Sequence, residues 1–297
     1  MYDIIIVFVM KKITTINNAI QTAINNIASR AVKPMQEPDY NAAVAIELPR
    51  LINASGVFPN VQFGGCFIHQ SPKATFSGKY NNPATCEVGD LLAICHDVVD
   101  GDDRYNAALI QWKILHRGVE KITGTALNQL DLYEHWPKFK LNCCNCLFDI
   151  LPKTVTPGAQ YGLILPGVPA DLYCSIPLIS LRAENSPSFA RFIINLMKWQ
   201  TGRPVVFNGI HNTADGWSSL VEHLIVASLT KRFNRSNVKL KDVSRSAQDF
   251  LKLLVTDDTD KEAIKMPVAE KDDGAISILY IEMAKDKKNN RNRTVNK

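Results

Sequence analysis

The sequence predicts an α/β protein: a mixed β-sheet core flanked by helices, followed by a C-terminal helical extension. Three observations lead there. Apolar runs with strand character, Asp90–His96 and Ala107–Leu115, flank an Asp-Gly turn signal. Runs with helical spacing at 12–32, 125–136 and 186–202 alternate with the strands. The composition, 46% hydrophobic and 21% charged over 297 residues, supports a sizeable core.

The elements follow in order. "MYDIIIVFVMKK" is apolar for only about eight residues, against the roughly 20 that a membrane span needs. It lacks the basic start and longer apolar stretch of a secretory signal. It reads as a short strand, or as a start upstream of a second initiator, Met10. "KITTINNAIQTAINNIASRAV" (12–32) carries Ile at helical spacing and predicts an amphipathic helix. "KPMQEPDY" (33–40) reads as a loop. "NAAVAIELPRLINAS" (41–55) predicts a second helix with Glu47 among apolar neighbours, although Pro49 is an awkward interior residue. "VQFGGCFIHQSPKATF" (61–76) predicts one strand, with Gly64-Gly65 marking a bulge or a close approach.

After the two strong strands, "TALNQLDLYEHW" (125–136) predicts a helix stopped by Pro137. "KLNCCNCLFDIL" (140–151) and "YGLILPGVPADLYCSIPLI" (161–179) predict strands broken by prolines. The helix at 186–202 has Ser186 as cap, Pro187 in its first turn and Gly202 at its end. "GWSSLVEHLIVASLTKRF" (216–233) is a further helix. The rest is more polar, with one strand-like run, "AISILYIEM" (275–283). The chain divides into a helical segment (1–38), a core (39–182), a helical extension (183–256) and a polar basic tail (257–297), partly disordered.

Charge and cysteine usage narrow the setting. The net charge is +5, and the last thirteen residues, "KDKKNNRNRTVNK", hold six basic residues and one acid. The body is therefore close to neutral, which excludes a histone-like coat; phosphate contacts must come from local patches. Seven cysteines, an odd number in a long chain, predict a reduced, cytoplasmic setting.

The hairpin is where chemistry concentrates. Centring the turn between Gly101 and Asp102 sets Asp90 opposite Lys113, with Gln111 one step of the two-residue period nearer the turn. Asp90, Gln111 and Lys113 then share one sheet face at the open end of the hairpin. A carboxylate, an amide oxygen and backbone carbonyls are hard ligands suited to Mg²⁺. A lysine beside them can orient a water and steady a phosphate. The same spacing equally predicts an Asp–Lys ion pair across two strands. On the next helix, Gln129 and Tyr133 are four apart and share a face.

"GDLLAIC", "ALIQWK" and "NQLDLY" together resemble the restriction-endonuclease-like, or PD-(D/E)xK, superfamily, in its RecB-like branch with a Gln-x-x-x-Tyr helix. The resemblance covers residues 40 to 180. It implies a restriction-endonuclease-like fold whose core runs helix, strand, strand, strand, helix, strand. It implies a Mg²⁺-dependent (or Mn²⁺-dependent) deoxyribonuclease, with DNA as partner and a role in defence against phage or foreign DNA. Asp90 would be the central metal ligand, Gln111 would stand in the usual acidic position and Lys113 would be the catalytic lysine. Gln129 and Tyr133 would be the helix pair, and Glu47 the first-helix acid. Two departures stand out: Gln111 brings no charge, and Gly89 replaces the proline that often precedes the Asp. Glu87 or Glu47 would have to restore the missing charge. A fold retained as a non-catalytic nucleic-acid-binding or assembly subunit is the alternative.

In the same frame, His69 and Lys73 border the site as substrate contacts. The basic stretch 230–245, with Lys231, Arg232 and Arg235 around Phe233, suits a nucleic-acid backbone. With no Walker A motif, any energy coupling falls to a separate ATPase partner, and the C-terminal helices would serve a homodimer or partner docking. "CCNC" (Cys143, Cys144, Cys146) contains a C-x-x-C. A zinc or iron–sulfur site wants four ligands, so these read as core or surface cysteines.

Overall fold

The computed structural model describes residues 2–31, 33–68, 72–142, 144, 146–167, 170–207, 215–235, 247–256 and 275–283, with the backbone alone at 2–8, 230–235 and 256. The architecture is mixed α/β: one large mixed sheet between two layers of helices, with a smaller sheet at its side.

The chain opens with one long helix, α1 (Tyr2–Ala28), which absorbs the N-terminal run read as a strand. Its Ile13, Ile16, Ile20 and Ile24 form the buried stripe. A short helix α2 (Glu37–Ala42) passes into a π-turn (Ala43–Glu47) and then α3 (Leu48–Ser55). The π-turn resolves the Pro49 problem. Pro49 has no N–H for the Ala45 carbonyl four residues back. The helix widens there, with Leu48 N–H bonding Ala43 O, and restarts with Pro49 in its first turn.

The run 61–76 is two strands in two sheets. β1 (Val61–Cys66) joins the large sheet; β2 (Lys73–Phe76) and β3 (Ala84–Glu87) belong to the small one. The close approach expected at Gly64-Gly65 is present. A Cβ on Gly65 would collide with the Ala45 carbonyl oxygen and lie 2.5 Å from that of Ile278; one on Gly64 would collide with the Leu254 carbonyl.

β4 (Leu91–Val99) and β5 (Asp102–Ile114) form the predicted hairpin. Its two-residue turn is Asp100-Gly101, both at positive φ (53° and 100°), as a hairpin with right-twisted strands requires. Val99 pairs with Asp102 and Leu91 with Ile110, so the ladder brings Asp90 level with Gln111, not Lys113. The register expected from a turn centred one residue later is thereby corrected by two residues.

After β6 (Val119–Lys121), α4 (Ala126–His135) crosses over and ends at Trp136 in the left-handed conformation. β7 (Phe139–Leu141) and β8 (Leu147–Phe148) complete the small sheet, in the order β3-β2-β7-β8. β9 (Ala159–Leu165) lies parallel to β5, and β10 (Asp171–Ser175) antiparallel to β9. β11 (Ser180–Arg182) pairs with β6. α5 (Phe189–Met197) is shorter than expected and is capped by Ser188, whose Oγ accepts the Arg191 N–H, not by Ser186. β12 (Arg203–Val205) pairs with the turn end of β5; α6 (Gly216–Arg235) and α7 (Ala247–Thr256) follow.

The last strand, β13 (Ser277–Met283), corrects the domain division. The run lay within the segment read as a loose tail, yet it sits inside the large sheet, parallel to β4 and antiparallel to β1. The sheet order is β1-β13-β4-β5-β9-β10, so the hydrogen-bonded core extends past residue 182.

Alternation decides which layer each side chain meets. Leu91, Ala93, Cys95, Ile110 and Trp112 face α1, α3 and α5. Leu92, Ile94, Ala107 and Leu109 face α4, α6 and α7. Gln111 and Lys113 continue the second set, between Leu109 and Leu115 of the same core.

Candidate active site

Two local devices hold the start of β4. Gln129 Nε2 donates to the Glu87 carbonyl (3.0 Å) and to Gln111 Oε1 (2.5 Å), and Tyr133 Oη donates to the Val88 carbonyl (2.6 Å). The Gln-x-x-x-Tyr pair is buried, and it grips the backbone between β3 and Asp90. Gly89 lies at this contact: a Cβ there would be 3.3 Å from Tyr133 Oη. Both residues hold the backbone just before Asp90, and Gln129 also borders the cleft beside it.

Asp90 itself is partly buried. Its N–H donates to Ile110 O (2.8 Å), its carbonyl accepts Asn41 Nδ2 (2.9 Å), and its Oδ2 accepts the Trp112 N–H (2.8 Å). Burial pushes its carboxyl up to about 8, and the negative charges of Glu87 and Glu37 push the same way. The Trp112 N–H and the Lys113 ammonium oppose this without cancelling it.

Glu37 is the residue that sequence reasoning missed. It opens α2, in the stretch read as a loop, and its Oε1 accepts the Ile114 N–H at 3.3 Å. Burial raises its pKa, Lys113 lowers it, and Glu87 adds to the rise. The available signal was the "QEPD" start. Gln36 N–H donates to Asp39 Oδ2 (2.8 Å) and Pro38 sits in the first turn, a helix-opening pattern.

Glu47, expected as the first-helix acid, is elsewhere. It is fully buried and bound to Arg50 (2.5 Å), Arg30 (3.4 Å) and Asn26 (3.4 Å), in the layer of α1 and α3. That is a structural ion cluster. Gln111 stays near Asp90, and its amide oxygen accepts from Gln129 Nε2 with one of its two lone pairs.

Above these residues opens a cleft of about 390 Å³, lined by Lys73, Glu87, Gln111, Lys113 and Gln129 among others. A second, of about 670 Å³, holds Glu37, His116 and Glu120, and Lys113 lines both. Lys73 pairs across the strands with Glu87 at the mouth of the first. The structure therefore brings together Asp90, Gln111, Lys113, Glu87, Lys73, Gln129 and Tyr133, and adds Glu37. His69 and residues 236–245 lie outside the described residues. Lys231, Arg232 and Arg235 lie on the last turns of α6, where only the backbone is described.

The carboxylates are not drawn into one tight set. Among the described residues, the only three His, Cys, Asp or Glu groups with ligand atoms within 4.8 Å of one another are Cys144, Cys146 and His223. The donors at Asp90 are nonetheless hard oxygens, and Mg²⁺ is commonly held by one or two carboxylates, water and substrate phosphate.

The fold and cleft define a mixed α/β protein with a carboxylate–lysine site at the open end of a central hairpin. Compared with protein-family models, curated proteins and solved structures, the chain matches none of them. Among the described residues no helix is long and apolar enough to cross a membrane.

Proposed function

We propose that the protein is a metal-dependent nuclease of the restriction-endonuclease-like kind, acting on DNA. One observation carries this reading: Glu37, Glu87 and Asp90, from three parts of the chain, lie near enough to act on one another's charge, and Lys113 lines both open clefts beside them. With Asp90 ionised, three acids stand against two cations, Lys113 and Lys73, and a divalent ion would offset the excess negative charge and favour that ionisation. Asp90, Glu87 and Glu37 are the residues that would hold it, and the chemistry it supplies is Lewis-acid polarisation of the scissile phosphate. Lys113 positions the attacking water and faces the phosphate. Lys73 supplies positive charge at the mouth for the DNA backbone. Gln129 and Tyr133 fix the strand start on which Asp90 rides. A cytoplasmic defence role, a homodimer and an ATPase partner belong to the same reading.

The test is plasmid cleavage with Mg²⁺ or Mn²⁺, wild type against Lys113→Ala, with EDTA as control. Nicking that requires metal and falls at least 100-fold in the variant supports the reading. Equal activity in both overturns it. A second reading, a nuclease-fold subunit that binds nucleic acid without cutting, draws on Gln111, which brings no charge and is tied to Gln129. It predicts DNA binding, no cleavage under any metal, and little change in binding on Lys113→Ala.

A further inference from the structure

We propose that Cys144, Cys146 and His223 form a zinc site that ties the edge of the small sheet to helix α6. The three residues come from distant parts of the chain, the turn between β7 and β8 and the middle of α6, yet their ligand atoms lie within 4.8 Å of one another. A tetrahedral zinc with Zn–S of about 2.3 Å sets its sulfurs roughly 3.8 Å apart. The cluster needs to contract by at most about 1 Å to receive the ion. Thiolates with an imidazole are a soft donor set that suits zinc and does not suit Mg²⁺.

The surroundings are arranged for ligation. The Cys146 N–H donates to Cys144 Sγ (3.3 Å) and Cys146 Sγ donates to the Cys144 carbonyl (3.3 Å), so one tight turn sets the two sulfurs together. His223 Nδ1 lies 2.8 Å from the Ser219 carbonyl, which can only accept. The neutral ring therefore carries its hydrogen on Nδ1 and its lone pair on Nε2. A backbone carbonyl behind one nitrogen is the usual support for a metal-bound histidine. Phe148 meets the ring edge-on at 5.3 Å and fixes its plane. Cys144 is exposed, so an ion has a path in, while Cys146 and His223 are half-buried. Among the described residues the site has three protein ligands, and a tetrahedral ion takes a fourth.

The fold has a use for such a tie. β8 is only two residues long and forms the far edge of the small sheet, whose other edge, β3, ends at Glu87 in the cleft. Two ladder pairs, Phe139–Phe148 and Lys140–Leu147, hold that edge. A metal bond from its turn to α6 anchors it to the layer packed on the large sheet.

The test is metal analysis of the full chain, purified under reducing conditions with any affinity tag removed. About one zinc per chain is expected, retained in Lys113→Ala and lost in Cys144→Ser/Cys146→Ser and in His223→Ala. Because these variants can misfold, the wild type is also stripped with a chelator, checked by circular dichroism, and titrated with Co²⁺. Thiolate-to-cobalt charge-transfer bands that saturate at one equivalent support the site, as does a thermal midpoint raised by Zn²⁺ in wild type alone. Wild type that neither carries nor takes up stoichiometric zinc overturns the proposal. So does iron in its place, or uptake undiminished in the double cysteine variant.

Discussion

The sharpest consequence of the cleft electrostatics concerns Asp90→Asn. The asparagine keeps the size of the side chain and an oxygen for the Trp112 N–H, and removes only the charge. In the folded wild type the carboxyl titrates near 8, against 3.8 for the free group. Between those values the folded chain holds a proton that the unfolded chain has released. Stability from this group is complete below the unfolded value and is lost as pH rises through the folded one. Each unit is worth about 1.4 kcal/mol, which sets a ceiling of about 6 kcal/mol for a carboxyl sealed from water. Asp90 keeps some exposure, so screening brings the expected loss to about 2–3 kcal/mol. Glu37, raised by burial, works in the same direction in both proteins and cancels in the comparison. Urea unfolding of wild type and Asp90→Asn at pH 5, 7 and 8.5, at fixed ionic strength, measures it. The variant should gain about 2–3 kcal/mol on wild type over that range and be the more stable at pH 8.5, while losing cleavage. A gap that stays constant with pH, or that favours wild type at pH 8.5, would refute the burial of Asp90 and, with it, its placement among like charges.

The two acids of the N-terminal helices separate cleanly. Glu37→Gln should reduce metal-dependent cleavage at least 10-fold with little loss of stability, whereas Glu47→Gln should leave cleavage unchanged, as plasmid assays and unfolding midpoints on the same samples will report. Arg30→Ala/Arg50→Ala should destabilise by about 3 kcal/mol, because it strands a fully buried carboxylate, and should cost more than Glu47→Gln, which leaves two exposed arginines in water. Gly65→Ala should cost about 3 kcal/mol or more, or prevent folding, since its Cβ meets backbone on both sides and neither carbonyl can swing away; thermal unfolding measures this.

Much of the fold was legible because local pattern and tertiary environment agree. β4 and β5 are apolar on both faces, the Asp100-Gly101 turn names itself, and Gln129 and Tyr133 lie four apart on a helix whose spacing is plain. What was not legible depended on partners far away in sequence. The register needed the turn type, and centring the turn one residue late moved Asp90 from Gln111 to Lys113. The place of β13 between β1 and β4 is a choice of neighbours that a seven-residue, mostly apolar strand does not encode. The meeting of His223 with Cys144 and Cys146 depends on how α6 packs on the small sheet.

The contrast between Glu47 and Asp90 explains why a site acid was misassigned and how such acids can be told apart. Each is a carboxylate within an apolar run. Glu47 is met by two guanidinium groups, one three residues ahead and one on α1. Its charge is neutralised by the protein itself, and nothing further is needed. Asp90 is met by Glu87 and Glu37, with one backbone N–H and one lysine in opposition. Packing alone would not retain such an arrangement, because an apolar residue would be more stable there. A buried acid that brings its own cations is part of the scaffold; Asp90, with other acids about it beside an open cleft, is the one that the proposed reading gives to a metal ion. The sequence places both residue types in similar company, and only the folded neighbours assign them opposite roles.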